Sequence, residues 1–105
     1  MTDKIVVLST AGSAEEAERI ARGVLEKRLA ACVNIVPGLQ SLYWWKGAIE
    51  QAPEWLLVIK TRRDRFEALR EELGRLHSYE TPEVIALPVV EGAASYLAWI
   101  DAEVG

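Results

Sequence analysis

The chain has 105 residues, half of them apolar, with a single cysteine and a formal net charge of −4 from 12 basic and 16 acidic side chains. This length predicts one domain, residues 1–105, that can bury a core but gains from association. The acidic balance excludes a general nucleic-acid binder and gives no basic anchor for a membrane surface. The lone cysteine, the lack of a signal-peptide pattern and the lack of a ~20-residue apolar run predict a cytoplasmic protein.

The first quarter of the chain predicts a strand followed by a helix. Residues 4–10 form a short run rich in β-branched residues, typical of a buried strand. Ser13 and Glu16 then form a capping box ahead of apolar residues at helical spacing. We therefore expect a helix over residues 14–28.

The middle of the chain predicts one long hairpin with a break in each arm. Gly47 marks the turn, and prolines at positions 37 and 53 mark the breaks. The predicted strand pieces are residues 31–36, 40–45, 48–51 and 55–61.

The last third predicts a helix, a strand and a final helix. Asp64 and Glu67 are candidate caps for a helix that ends near His77, a strand follows at 84–90, and a helix follows at about 93–103. The resulting order is β-α-β-β-α-β plus a terminal helix, an α+β ferredoxin-like subunit with helices on one face of an antiparallel sheet. The other face is expected to be bare.

An aromatic cluster in the hairpin indicates that the bare face is covered in an assembly. In a strand, Tyr43 and Trp45 point to one face while Leu42 and Trp44 point to the other, so both faces are apolar. One chain of this size has little left to cover them. A closed homo-oligomer is the usual solution, and composition does not choose between two and three copies.

His77 and Cys32 are the candidate ligands for a soft or borderline metal. His77 is the only histidine, and it either binds copper or zinc or interacts with the end of its helix. Cys32 is either a copper(I) ligand or, as is commoner for a cysteine among alanine and valine, a small buried residue. The two are too far apart in sequence to suggest a closed four-ligand site within one chain.

Lys60, Glu80 and Glu83 are candidates for ion or anion binding. Lys60 ends an apolar strand and either reaches an anionic ligand or extends its ammonium into water. Glu80 and Glu83 flank Thr81-Pro82 and either bind a divalent cation or form a solvated loop. No nucleophile, base and orienting group can be assembled around one histidine, and no phosphate or dinucleotide loop is present, so the chain is not expected to be an enzyme.

Four stretches of the sequence together resemble the CutA family of divalent-cation tolerance proteins. They are RLAACVNIVPGLQSLYWWKGAIE (28–50), EWLLVIKT (54–61), HSYETPEVIALPV (77–89) and SYLAWI (95–100). The resemblance covers nearly the whole chain in order. It implies a tight, heat-resistant homotrimer, similar in assembly to PII-type signalling proteins, in which neighbouring subunits cover the hairpin aromatics.

The resemblance also implies a ligand cleft between subunits and a role in the response to metal ions. By motif position, Trp44, Lys60, Tyr79 and Glu80 would line that cleft. Copper binding in the family is attributed to a cysteine near the end of the first strand and to a histidine pair. Here Ser9 and Leu76 stand at two of those positions and leave only His77.

Two functions follow as expectations. The first is divalent-cation tolerance with weak binding of copper or another divalent cation through His77. The alternative is a PII-like regulatory trimer that binds an anionic small molecule through Lys60. A module that only docks partners is a third possibility.

Overall fold

The computed structural model describes all 105 residues and confirms the predicted element order. The strands are β1 (Lys4–Ala11), β2 (Cys32–Trp45), β3 (Ala48–Arg62) and β4 (Ile85–Pro88), and the helices are α1 (Ala14–Glu26), α2 (Phe66–Leu76) and α3 (Ala94–Glu103). A short 3-10 turn lies at Arg63–Arg65. The four strands form an antiparallel sheet in the order β2-β3-β1-β4.

The core lies between α1, α2 and one face of the sheet. Alternate residues of the central strands, such as Val7 on β1 and Leu57 on β3, are fully buried there. Ile20 and Leu69 supply the apolar stripes of the two helices. This covered face fixes the strand register, because a one-residue slip would expose every one of these side chains.

The hairpin differs from its prediction in one respect. β3 runs unbroken through Pro53, so the predicted interruption there is wrong. Pairing with β1 ends at Trp55, and at Pro53 the strand therefore has β2 as its only neighbour, where a missing N–H is tolerated. The other predicted break is a register shift between Val36 and Leu39, with Gly38 at φ +84° inside one continuous strand.

The helix ends also differ from the predictions. Ser13 caps α1 by accepting a hydrogen bond from the amide of Glu16, as expected, but α1 ends at Glu26 because Arg28 adopts a left-handed conformation. The predicted side-chain cap of α2 is wrong. Asp64 instead accepts a hydrogen bond from Arg62, and the 3-10 turn leads into α2 without a side-chain cap.

The second face of the sheet is not entirely bare, contrary to the prediction. α3 packs against it at one end, where Lys4 and Arg62 pair with Asp101. The rest of the face exposes apolar side chains on β2 and β4. They are Val36, Ile85 and Leu87.

The tip of the hairpin extends beyond the helices. It turns through Lys46 and Gly47, both at positive φ, as a two-residue hairpin turn requires. Trp44 is 72% exposed and Leu42 is 65% exposed. The molecule is accordingly elongated, with a longest extent of 44 Å.

Candidate functional site

A groove of about 940 Å³ lies between the hairpin and the loop that follows α2. Thr10 and Leu56, paired across β1 and β3, line one part of it. The outer part of β2 supplies aromatic side chains, and residues 78–83 supply polar ones. Its acidic residues are Glu54, Glu80 and Glu83, its aromatic residues are Tyr43, Trp44, Trp45 and Tyr79, and its lining includes no lysine, arginine or histidine.

Glu54 is the most deeply placed carboxylate of the groove. Only 7% of the residue is exposed, and the hydroxyl of Tyr79 donates a 2.7 Å hydrogen bond to its Oε2. Burial raises the pKa of the Tyr79 hydroxyl, and the hydrogen bond to Glu54 raises it further, so the phenol remains a donor. No lysine, arginine or histidine forms an ion pair with Glu54 within the chain.

His77 lies beneath the loop, with its side chain completely buried. Its Nε2 is 2.6 Å from the carbonyl oxygen of Thr10, and its Nδ1 is 3.1 Å from the amide nitrogen of Tyr79. A carbonyl can only accept and an amide N–H can only donate, so these two partners assign the neutral tautomer with the proton on Nε2. His77 thus ties the start of the loop to β1, rather than to the end of its own helix.

Glu16 gives the loop a second anchor. Its carboxylate accepts hydrogen bonds from the amides of Ser78 at 2.8 Å and Gly12 at 3.3 Å, and its Oε2 is 3.6 Å from Nδ1 of His77. Burial would raise the pKa of Glu16, but these hydrogen bonds outweigh burial and lower it. Gly12 also leaves room for Tyr79, because a Cβ there would lie 3.0 Å from the phenol oxygen.

The structure brings together three of the four residues predicted for the cleft. Trp44, Tyr79 and Glu80 line the same groove. Lys60 is not part of this lining. It lies farther along β3, on the same face of the sheet as Glu54, opposite Cys32 of β2, and it donates a hydrogen bond to Asn34. A cleft that includes Lys60 therefore requires a second subunit and stays a prediction.

The positions associated with copper do not form a ligand cluster within one chain. Ser9 is fully buried among the core residues, with no hydrogen-bond partner for its hydroxyl. Leu76 packs against the same core, and Cys32 lies at the start of β2, opposite Lys60. No group of three or more histidine, cysteine, aspartate or glutamate side chains is arranged to hold a metal ion.

Glu54 was missed by the sequence reasoning. The only hint of it in the sequence is its position directly before the apolar run that begins at Trp55. Alternation along β3 places Glu54 on the face opposite Leu57. Its importance depends on Tyr79, 25 residues away along the chain, and nothing in the local pattern reveals that contact.

The groove and the ferredoxin-like sheet together define a small α+β protein with a cation-compatible cleft. The sequence model of the CutA1 divalent ion tolerance protein family matches residues 5–103. The chain belongs to this family.

Individual relatives agree with this assignment. Over 92 residues, the chain is 51% identical to the divalent-cation tolerance protein CutA of Archaeoglobus fulgidus, covering 88% of this chain and 89% of the relative. It is 48% identical over 100 residues to the protein of the same name from Thermus thermophilus, covering 95% and 97%. Both names describe tolerance of divalent cations.

Solved structures show the same fold. The Thermus thermophilus divalent cation tolerance protein superposes with a TM-score of 0.95 at 47% identity, over 97% of this chain and 99% of the other. The Archaeoglobus fulgidus protein, described as periplasmic, gives a TM-score of 0.94 at 47% identity over the same shares of the two chains.

A rice relative, 47% identical over 91% of this chain and 54% of its own length, is named as chloroplastic.

Relatives are thus named for different compartments, and the cytoplasmic location of this chain stays a prediction. No helix of the structure is both long and apolar enough to cross a membrane.

Proposed function

We propose that this chain contributes to divalent-cation tolerance by weak cation binding at the groove. The observation that carries the proposal is the charge of the lining, which has three glutamates and no basic side chain. Such a lining attracts cations and repels an anionic metabolite. Divalent cations with a preference for oxygen can be held by one or two carboxylates with water completing the coordination, and this produces weak rather than tight sites.

Copper binding through His77 is a separate part of the proposal. The imidazole would have to leave either Thr10 or Tyr79 to bind a metal, so we expect low affinity. Ser9 and Leu76 supply no strong copper ligand beside His77, so each chain offers copper a single imidazole.

Calorimetric titration of tag-free protein with Mn²⁺ and Cu²⁺ tests both parts. We expect weak saturable binding of Mn²⁺ that is lost in the Glu80→Gln/Glu83→Gln double variant and retained in His77→Ala. Copper binding that disappears only in His77→Ala would place copper at the histidine. Identical heats in all three proteins would contradict both sites, and circular dichroism checks that His77→Ala still folds.

We further propose that the protein is a homotrimer. The support is the apolar surface that one chain leaves uncovered, above all Leu42, Trp44 and Ile49 on the hairpin. The number three rests on the resemblance to the CutA family. A trimer also supports the expected resistance to heat, because unfolding must then separate the subunits.

Sedimentation equilibrium tests the assembly. We expect a mass of three chains at micromolar concentration, and we expect Trp44→Asp to dissociate it, because a carboxylate would then be buried at the interface. Glu18→Gln, on an exposed face of α1, serves as the control and should stay trimeric. A wild-type protein that sediments as a monomer at this concentration would sink the proposal.

A further inference from the structure

A second pocket, of about 610 Å³, lies on the helical side of the sheet, where the end of α1 meets α2. Its charged residues are Lys27, Arg65, Arg75, Glu71 and Glu72, and its apolar residues are Leu29 and Ala68. No residue of the hairpin strands lines it, and neither does any of the exposed apolar side chains that support the proposed trimer. The pocket is therefore independent of the surface that another subunit would cover.

Two of the three basic side chains in this pocket already share one carboxylate. Nζ of Lys27 is 3.0 Å from Glu72, and Arg75 lies against the same side chain. The Glu72 side chain is only 8% exposed, whereas those of Lys27 and Arg75 are more than half exposed. The solvent side of this ion cluster accordingly presents mainly positive charge.

Arg65 is the third basic residue, and it has no acidic partner. It is half-buried, it forms no ion pair, and its Nε is shielded from solvent without a hydrogen-bond acceptor. A partly desolvated cation without an acceptor is costly. Because a guanidinium matches the paired oxygens of an oxyanion, Arg65 favours such an anion from outside the chain.

The charge and size of the pocket indicate what kind of oxyanion fits. Three basic and two acidic side chains leave an excess of one positive charge, which attracts anions. Several cations around one pocket favour an anion with several oxygens and more than one charge over a simple carboxylate. The volume is in the range of sites for small organic ligands, so the anion can be part of a larger molecule.

We propose that this pocket binds a phosphate group, either free or carried as a monoester by a small molecule. Arg65 is the principal contact, and Lys27 and Arg75 add attraction over a longer distance. The proposal goes beyond the proposed cation binding and does not rest on it, because the two sites share no residue and take ligands of opposite charge.

Titrations with glycerol 3-phosphate, glycerol, inorganic phosphate and acetate at constant ionic strength provide the first test. Amide chemical shifts around Arg65 and Arg75 should show weak, saturable binding of glycerol 3-phosphate and none of glycerol. Inorganic phosphate that binds as tightly as the ester would assign the site to free phosphate, and weaker binding would assign it to monoesters. No saturable binding of either phosphate, or acetate binding as tight as theirs, would overturn the proposal.

Two arginine variants of the 3-10 turn provide the second test. Arg65→Gln should weaken binding of the phosphate ligand by about tenfold or more, as the loss of a charge-assisted hydrogen-bonding partner would give. Arg63→Gln removes the same charge from an exposed residue outside the pocket and should leave binding unchanged. Equal losses in the two variants, or no loss in Arg65→Gln, would contradict the assignment.

Glu71→Gln tests the sign of the charge effect. It removes an exposed carboxylate from the lining, so phosphate should bind about two- to fivefold more tightly. Unchanged or weaker binding would contradict the placement of the anion in this pocket. Mn²⁺ binding at the groove should be the same in Arg65→Gln and the wild type, so failure of the phosphate site and failure of the cation site give different results.

Discussion

Two leucines of the same hairpin differ sharply in their exposure to solvent. Leu57 on β3 is completely buried beneath the helices, whereas Leu42 on β2 is 65% exposed near the tip. Both are apolar residues in regular strands. The difference is that α1 and α2 reach only the inner half of the hairpin, so the outer half has no cover within the chain.

The two leucine-to-alanine substitutions should have very different effects. Leu57→Ala removes a side chain from a closed core and should lower the free energy of unfolding by about 2–5 kcal/mol. Leu42→Ala removes little burial within the chain, and its effect should appear as weaker association, with unfolding that depends more strongly on protein concentration. Urea denaturation at two protein concentrations measures both. Equal, concentration-independent losses would remove the proposed distinction between the two halves.

The helix-covered half contains an ion cluster that should make its stability depend on pH. Arg75 lies against Glu72 and lowers the pKa of that carboxyl to about 2. Lys27, which directly follows α1, has its Nζ 3.0 Å from Oε1 of Glu72 and adds to the effect. Because the folded pKa lies below the ordinary value of 4.5, the stabilisation is complete above pH 4.5 and disappears as the pH falls toward 2.

Glu72→Gln measures this contribution. Both basic partners are more than half exposed and screened by water, so we expect a loss of about 1–2 kcal/mol at pH 7. The difference between the variant and the wild type should shrink between pH 4.5 and pH 2. Glu71→Gln, the exposed neighbour on α2, is the matched control. If the stability difference between Glu72→Gln and the wild type stayed constant across this pH range, the charge of Glu72 would not be the cause of the lost stability.

The smallest expected change in the free energy of unfolding comes from replacing either of two helical glycines with alanine. A Cβ at Gly74 meets no atom within 4 Å, so Gly74→Ala should raise the free energy of unfolding by about 0.5–1 kcal/mol through helix propensity. At Gly23, where the helices meet, a Cβ would lie 2.7 Å from Cδ1 of Leu76. Gly23→Ala should therefore gain less, since Leu76 must move. Thermal unfolding of both variants checks the order, which an equal gain would contradict.

The regular elements could be predicted because their signals are local. The side-chain cap at Ser13 and the turn at Gly47 each depend on residues within a few positions. The uninterrupted course of β3 could not be read from its proline. Whether a proline breaks a strand depends on the neighbours of that strand, and these are fixed only when β1 has been placed.

The residues of the candidate site were also predicted only in part. Trp44, Tyr79 and Glu80 were assigned to one cleft by their resemblance to a family, and the structure places them around one groove. Lys60 was assigned with them, but it faces Asn34 on the second face of the sheet. The assignment to the family is confirmed by relatives about half identical over most of the chain.

The sequence by itself determined the strands, the helices, the family and the need for cover on both faces of the hairpin. The elements and the need for cover follow from periodicity and turn residues, which act over short distances, whereas the family follows from the resemblance of four stretches of the sequence. The tertiary structure alone decided that α3 covers part of the second face, that His77 is fixed by Thr10 and Tyr79, and that Glu54 is buried without a counter-charge. These outcomes depend on contacts between residues distant in the chain, whose partners are chosen only when the elements pack together.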